Sequence, residues 1–397
     1  MKKWFQAKYL TVYCFLVLLA VMFLQGIPKV YNGFVNAAAA YLDTGTVDFS
    51  IVKNDYNANF SGKYRFITLN GAYQRLMGIR VVNERYKLDN GQLTYIIEEY
   101  DTDGIARNTV AFRDALHGLN IPMVYVNTPF KIHRTDKQLP ANTADYSNEN
   151  ADRFVNFLRK ENVPVLDLRD VMEKDGLAHY DMFYKTDHHW KAEAGLWAAG
   201  EIADFLSAAD SGFHVPDTVL DPSSYHFEVH ENIFLGSAGR RVGGMYAGKD
   251  DLTVITPVFR TDFSLTAENG TDNREGTFED VFIVREHLTP GDPLMSNAYA
   301  TYCGYGFSHA EIQNNTADPD FPCSPKKVLI IRDSFSDVLI PFMSLAYAQL
   351  DVIDLRGFSG DLMGYIEESA PDVVMVVYNP GAYEPKNFGM FDFLNAS

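Results

Sequence analysis

The first strong pattern along the chain is an uncharged run of nineteen residues, YLTVYCFLVLLAVMFLQGI, from Tyr9 to Ile27. At about 1.5 Å per helical residue it is roughly 28 Å long, the thickness of a bilayer core. Lys2, Lys3 and Lys8 precede it, which predicts a cytoplasmic N-terminus and a single-pass protein whose remainder lies outside the cell membrane. A cleaved signal sequence is the competing reading. Its small-residue site would be Ala37 to Ala40, ten residues past Ile27, so the length of the run favours an uncleaved anchor. Residues 30–100 are polar, rich in Asn and Tyr, and weakly periodic.

From about residue 105 helical and strand patterns alternate. Ile105 to Leu119 has helical apolar spacing, IPMVYV (121–126) reads as a buried strand, and Asn150 to Glu161 as a helix. VPVLDL (163–168) is the next strand and Lys191 to Leu206 a long amphipathic helix. This order predicts a parallel sheet covered on both faces. Residues 210–325 break the alternation with Pro, Gly, Asp and Asn turns between short β-type runs such as LTVITPVF (252–259) and TFEDVFIV (277–284). The pattern resumes with KVLIIR (327–332), a helix from Ser336 to Ala348, LDVIDL (350–355) and DVVMVVY (372–378). The predicted organisation is a cytoplasmic stub and transmembrane anchor over 1–28 and a stalk and lead-in over 29–100. The first part of an α/β domain follows over 101–209, a β-rich insertion over 210–325, and the second part over 326–397.

Composition narrows the class. Hydrophobic residues make up 47 % and charged residues 22 % of 397 positions, which suits a chain that buries a core and excludes disorder as a whole. The net charge of −18 argues against nucleic acid as a partner, because phosphates call for a basic face. Outside the apolar run stand two cysteines, Cys303 and Cys323. In an oxidising compartment they read as one disulfide or as two buried thiols. Neither has the spacing of a zinc site.

Two clusters carry candidate chemistry. HYDMFYKTDHHW (179–190) gathers three histidines and two aspartates just ahead of a predicted helix. A histidine base needs a carboxylate to fix its tautomer, and in an extended turn Asp187 and His189 share a side while His188 points away. The plain alternative is an Asp187 helix cap with histidines filling the turn, and adjacent histidines rarely bind one metal ion together. In IIRDSFSD (330–337), Ser334 follows a buried strand and precedes a helix, where a hydroxyl nucleophile would find N–H donors for an oxyanion. Asp333, Ser334 and Ser336 are equally good helix caps. There is no GxSxG elbow, and no P-loop that would hold a nucleotide cofactor.

These residues resemble the bacterial DHHW protein family and the wider SGNH-hydrolase-like group that includes the cell-envelope alginate O-acetyltransferases. The resemblance rests on Pro122 to Trp190 with the IIRDSFSD block. It implies a three-layer α/β/α fold with Ser334 as nucleophile, His189 as base and Asp187 as its orienting acid. The chain lacks the GDS block and C-terminal DxxH of ordinary SGNH enzymes.

Other polar residues near strand ends are substrate-binding or oxyanion candidates: Lys131 in NTPFK, Arg356 after LDVIDL, and Tyr378 with Asn379 at the end of the last apolar run. The reading that follows is an extracytoplasmic, membrane-anchored O-acyltransferase or acetylesterase acting on an envelope polysaccharide or exopolysaccharide, with no cofactor and no metal. Transfer implies a membrane-bound acyl-donor protein as partner, and the acidic balance favours a neutral or cationic glycan. A non-catalytic glycan-binding or assembly protein on the same fold is the alternative. A metal phosphoesterase built on the Asp-His-His run is a third reading, for which Asp101 and Asp103 are the thin upstream support.

Overall fold

The computed structural model describes residues 2–46, 48–59, 62–289, 291, 296–304 and 306–383. Met1, at the head of the predicted stub, and the last fourteen positions of the predicted second part lie outside them. The chain divides into two units, Met1–Asn70 and Gly71–Ser397.

The first unit is helical. The apolar run belongs to one helix, Lys2–Thr44, with Pro28 inside it, and Ser50–Asn59 forms a second helix. Its stretch Tyr9–Leu42 is long and apolar enough to cross a membrane. It extends past the run read from the sequence because Val30 to Leu42 are mostly apolar or small, with Lys29 the one charge at its start. A third helix, Lys63–Leu76, leads into the second unit.

The second unit holds thirteen strands among the described residues. Three short ones, β1 (Val81–Val82), β2 (Arg85–Lys87) and β3 (Leu93–Thr94), form a small antiparallel sheet in the region expected to be lead-in. The next two are β4 (Met123–Asn127) and β5 (Val165–Asp167), and β6 (Tyr225–Phe234) pairs with β7 (Asp250–Pro257) as a separate ribbon. After these come β8 (Phe263–Ala267), β9 (Asp272–Gly276), β10 (His309–Asn314), β11 (Ser324–Arg332), β12 (Tyr347–Ile353) and β13 (Val373–Tyr378).

The main sheet has the order β5-β4-β13-β11-β12-β10-β8-β9. Its first five strands are parallel. The other three continue it antiparallel from the β12 edge. Alternation builds the two layers, since successive side chains on a strand face opposite ways. Val124, Val126, Val328, Ile330 and Val377 pack with the helix Ala192–Ala209 and with Ile340–Ala346. Met123, Tyr125, Leu329, Ile331 and Val376 pack on the other side, with Asp103–Gly118, Ser147–Lys160 and Leu362–Ser369.

Two local expectations change, and one left open is decided for the cysteines. TFEDVFIV contains a short helix, Phe278–Phe282, because Thr277 and Asp280 close a reciprocal capping box that fixes the first turn. The helix expected from Ser336 to Ala348 divides into a 3-10 turn, Ser334–Val338, and the helix Ile340–Ala346, with Pro341 at its first turn and β12 already beginning at Tyr347. Cys303 is buried and Cys323 half-buried, and both are free thiols.

Candidate active site

The parallel strands deliver their carboxyl ends to one rim, and Ser334 lies there, two residues past the end of β11. Asp333 shapes the turn before it. Its carboxylate caps the 3-10 turn through the Phe335 N–H at 2.9 Å and takes the Asn379 backbone and side-chain N–H groups at 2.9 and 2.6 Å. The end of β11 is thereby tied to the end of β13. Burial pushes the Asp333 carboxyl above its ordinary value, against the pull of these N–H donors and of Arg356.

The DHHW turn meets this rim from the other side. His189 donates Nδ1–H to Asp187 Oδ1 at 2.6 Å, and its Nε2 accepts the Ser334 hydroxyl at 2.8 Å. Asp187 also takes the His189 backbone N–H at 3.0 Å, and its second oxygen takes the N–H of Ser237, the first residue of the helix Ser237–Val242. Burial works to raise the Asp187 carboxyl. The two imidazoles and the donated N–H groups outweigh it and hold the group well below the carboxylate range. Asp187 is therefore ionised at neutral pH, with both oxygens satisfied.

His188 does not point away as an extended turn would require. The segment bends, the two imidazoles lie 3.8 Å apart, and His188 Nδ1 stands 3.3 Å from Asp187 Oδ1 and 3.2 Å from Ser237 Oγ. Burial, with the neighbouring His189, pulls its pKa down to about 3, so this imidazole is neutral. Asp187, His188 and His189 place three potential ligand atoms within 4.8 Å of one another, but these groups are already engaged with each other, with Ser334 and with Ser237.

Packing fixes the pair of segments. Trp190, fully buried, donates Nε1–H to the Phe335 carbonyl at 2.7 Å. Tyr299 lies flat on His189, with centroids 4.2 Å apart at 15°, and donates its hydroxyl to the Ser334 carbonyl at 3.0 Å. Gly195, in the helix after the DHHW turn, lets that helix approach the serine turn: a Cβ there would fall 2.3 Å from the Val338 carbonyl oxygen. Gly236 does the same for Asp187, where a Cβ would stand 2.3 Å from Asp187 Cβ and 2.6 Å from Oδ2.

The four outlying candidates are placed as follows. Lys131 is fully buried, and its ammonium donates to the carbonyls of Leu93, Tyr184, Lys185 and Asp187, with 2.7 Å to the first and the last. It pins the loop that carries Asp187 and has no donor left for a substrate. Burial pulls its pKa down to about 7, while Asp250 and Asp187 and the surrounding carbonyls favour the charged form. Asn379 is spent on Asp333 and on the Gly381 N–H, at 2.7 Å. Arg356 forms a two-pronged pair with Asp354 at 2.9 and 2.5 Å. Tyr378 is buried in the core layer that holds Tyr125 and Tyr383. The sequence offered no signal for Tyr299, Ser237 or Gly236, which come from segments remote in the chain and become visible through contact alone.

Residues 99–221 match the family model described as the SGNH hydrolase-like domain of the acetyltransferase AlgX. Among solved structures, Bacillus cereus PatB1 superposes with a TM-score of 0.60 at 19 % identity, over 77 % of this chain and 98 % of that one. A DHHW family protein from Eubacterium siraeum gives 0.56 at 16 % identity, over 75 % and 91 % of the two chains. No curated protein matches the chain in sequence. The fold is therefore SGNH-hydrolase-like, a mixed α/β architecture with a parallel-rich sheet. The chain resembles the DHHW proteins and is related to acetyltransferases of the AlgX kind.

Proposed function

We propose that the chain is an extracytoplasmic, membrane-anchored O-acyltransferase or acetylesterase that acts on an envelope polysaccharide or exopolysaccharide through Ser334, His189 and Asp187. The single observation that carries this reading is the continuous hydrogen-bonded line from Ser334 Oγ through both His189 nitrogens to Asp187, at 2.8 and 2.6 Å. His189 Nε2 takes the hydroxyl proton as Ser334 Oγ attacks the acetyl carbonyl, and ionised Asp187 steadies the imidazolium. The backbone N–H of Ser334, at the first position of the 3-10 turn, is the first candidate donor to the tetrahedral oxyanion. As the carbon–leaving-group bond breaks, His189 returns the proton to the departing oxygen and leaves an acetyl ester on Ser334. A sugar hydroxyl then loses its proton to His189 and attacks that ester, and as the bond to Ser334 Oγ breaks His189 returns the proton to Oγ, releasing the serine and the acetylated glycan. With water as acceptor the same steps make an esterase.

Transfer needs an acyl donor brought to the membrane face, so a membrane-bound donor protein is the partner this reading calls for. The long apolar helix supports the anchor, and the relation to AlgX-type acetyltransferases supports the acetyl group and the polysaccharide. The test is acetyl release from p-nitrophenyl acetate by the full chain in detergent, beside its S334A and H189A variants. Loss of the rate in both supports the reading, and a rate equal to the parent's in S334A overturns it.

A further inference from the structure

A cleft of about 700 Å³ is bordered by β2, by the segment after β3 and by the helix Ser237–Val242, and one of its lining residues, Tyr95, touches His188 of the DHHW turn. That volume lies in the range of small-ligand clefts, roughly 300 to 1,000 Å³. The cleft and the triad share structural parts. The helix Ser237–Val242 gives its first N–H to Asp187, and one turn later its Arg241 lines the cleft. Asn83 Nδ2 donates to the Arg241 carbonyl at 2.8 Å and locks the β1–β2 turn to that helix. Tyr95 lines the cleft and meets His188 edge to face at 5.7 Å. Gly381 makes room for it, because a Cβ there would stand 3.0 Å from the Tyr95 hydroxyl oxygen. The Arg85 guanidinium sits over the Tyr95 ring at 5.7 Å.

Resting on the function proposed above, we propose that this cleft is the acceptor subsite and that it takes an uncharged glycan. The lining carries the argument. Tyr86 and Tyr100 present aromatic bodies with hydroxyl tips, a combination that packs on the C–H faces of pyranose rings and meets their hydroxyls. Arg85 and Arg241 supply donors, and Glu84 and Glu98 supply acceptors. The two cations and two anions cancel, so the cleft offers no net field to a repeating acid. The whole chain at −18 repels a polyanion before it arrives.

The test is calorimetric titration of the full-length S334A chain in detergent, so that binding is read without turnover. The probes are cellopentaose and N-acetylglucosamine pentamer as uncharged oligomers and galacturonate pentamer as the acidic one. At least one uncharged pentamer is expected to bind roughly tenfold tighter than the galacturonate pentamer. Its affinity is expected to fall about tenfold in R85Q and in the Tyr86→Ala, Tyr100→Ala double variant. R85Q removes a half-buried charge and little volume, so it reads the site even where the double variant unfolds. Equal or tighter binding of galacturonate, unchanged affinity in R85Q, or no binding of either uncharged pentamer overturns the proposal. Binding as described with full acetyl release by S334A would remove the triad reading and leave the glycan cleft standing.

Discussion

His189 uses both ring nitrogens at once, and that fixes its tautomer: Nδ1–H faces Asp187 and the Nε2 lone pair faces Ser334. Asp187→Asn keeps the shape, but the amide can turn a donor toward Nδ1 and reverse the tautomer. Acetyl release by D187N is expected to fall by roughly 10³-fold or more, and the D187N, S334A double variant no further than S334A alone, read as kcat/KM. Two other imidazoles set an acid limit on the fold. Burial pulls His188 down to about 3 and His179 to about 4 from the ordinary 6.5. Between these values the unfolded chain binds protons that the folded chain refuses, so stability falls as pH drops below about 6.5. Tm is expected to fall between about pH 7 and pH 5, and to fall less in H179Q, by thermal melts at the two pH values. An unchanged difference in H179Q would sink this account. At this scale the hydrogen-bonded set of Asp187, His189 and Ser334 was legible as a candidate because its residues sit in two short dense clusters. Tyr299, the flat support under His189, was not, since nothing near it in the chain marks a ring that meets a histidine 110 positions earlier.

The elements that hold these residues were half legible. Buried parallel strands such as Val373–Tyr378 are continuous apolar runs and announce themselves. The antiparallel extension β10-β8-β9 does not, because its strands mix exposed and buried positions with no continuous apolar run, and its partner edge, β12, follows β10 by more than thirty residues. Nor does periodicity reveal what Lys131 does, since its use depends on a loop some fifty residues later. Lys131→Met would keep the stem and strip four carbonyl oxygens of their donor. A loss of about 3 kcal/mol is expected in denaturant unfolding, with a larger loss in kcat than in KM, because the loop it pins carries Asp187. Gly236 is the sharper case. Its φ of −67° is open to any residue, so only space forbids a side chain there. Gly236→Ala must push Asp187 away from His189, and a displacement of about 1 Å costs on the order of 10²-fold in rate. Acetyl release with parent-like kcat in G236A would show that Asp187 is not held by this helix.

At the scale of the whole molecule, the proposed function asks the helix through Tyr9–Leu42 to set the compartment. Leu10, Phe15, Phe23 and Ile27 are 65, 57, 71 and 48 % exposed, an apolar surface that water penalises at about 25 cal/mol per Å² and lipid accepts. The helix is longer than a bilayer core is thick, and on the proposed anchoring charge decides which part spans. Lys8 and Lys29 bracket Tyr9 to Ile27, roughly the 30 Å that hydrocarbon requires. Lys2 and Lys3 add to the leading side and bias it to the cytoplasm. On the function proposed above, the triad works outside, where a membrane-borne donor and an envelope glycan can both reach it. A C-terminal alkaline phosphatase fusion of the full chain is expected to be active and the matching green fluorescent fusion dark, with both retained in carbonate-washed membranes. Replacing Lys2, Lys3 and Lys8 by Glu should shift part of the population toward fluorescence, because Lys29 is then the nearest positive charge and lies on the far side. A parent chain that is fluorescent, or that leaves the membrane on washing, would place the site in a compartment where no envelope glycan is available to it.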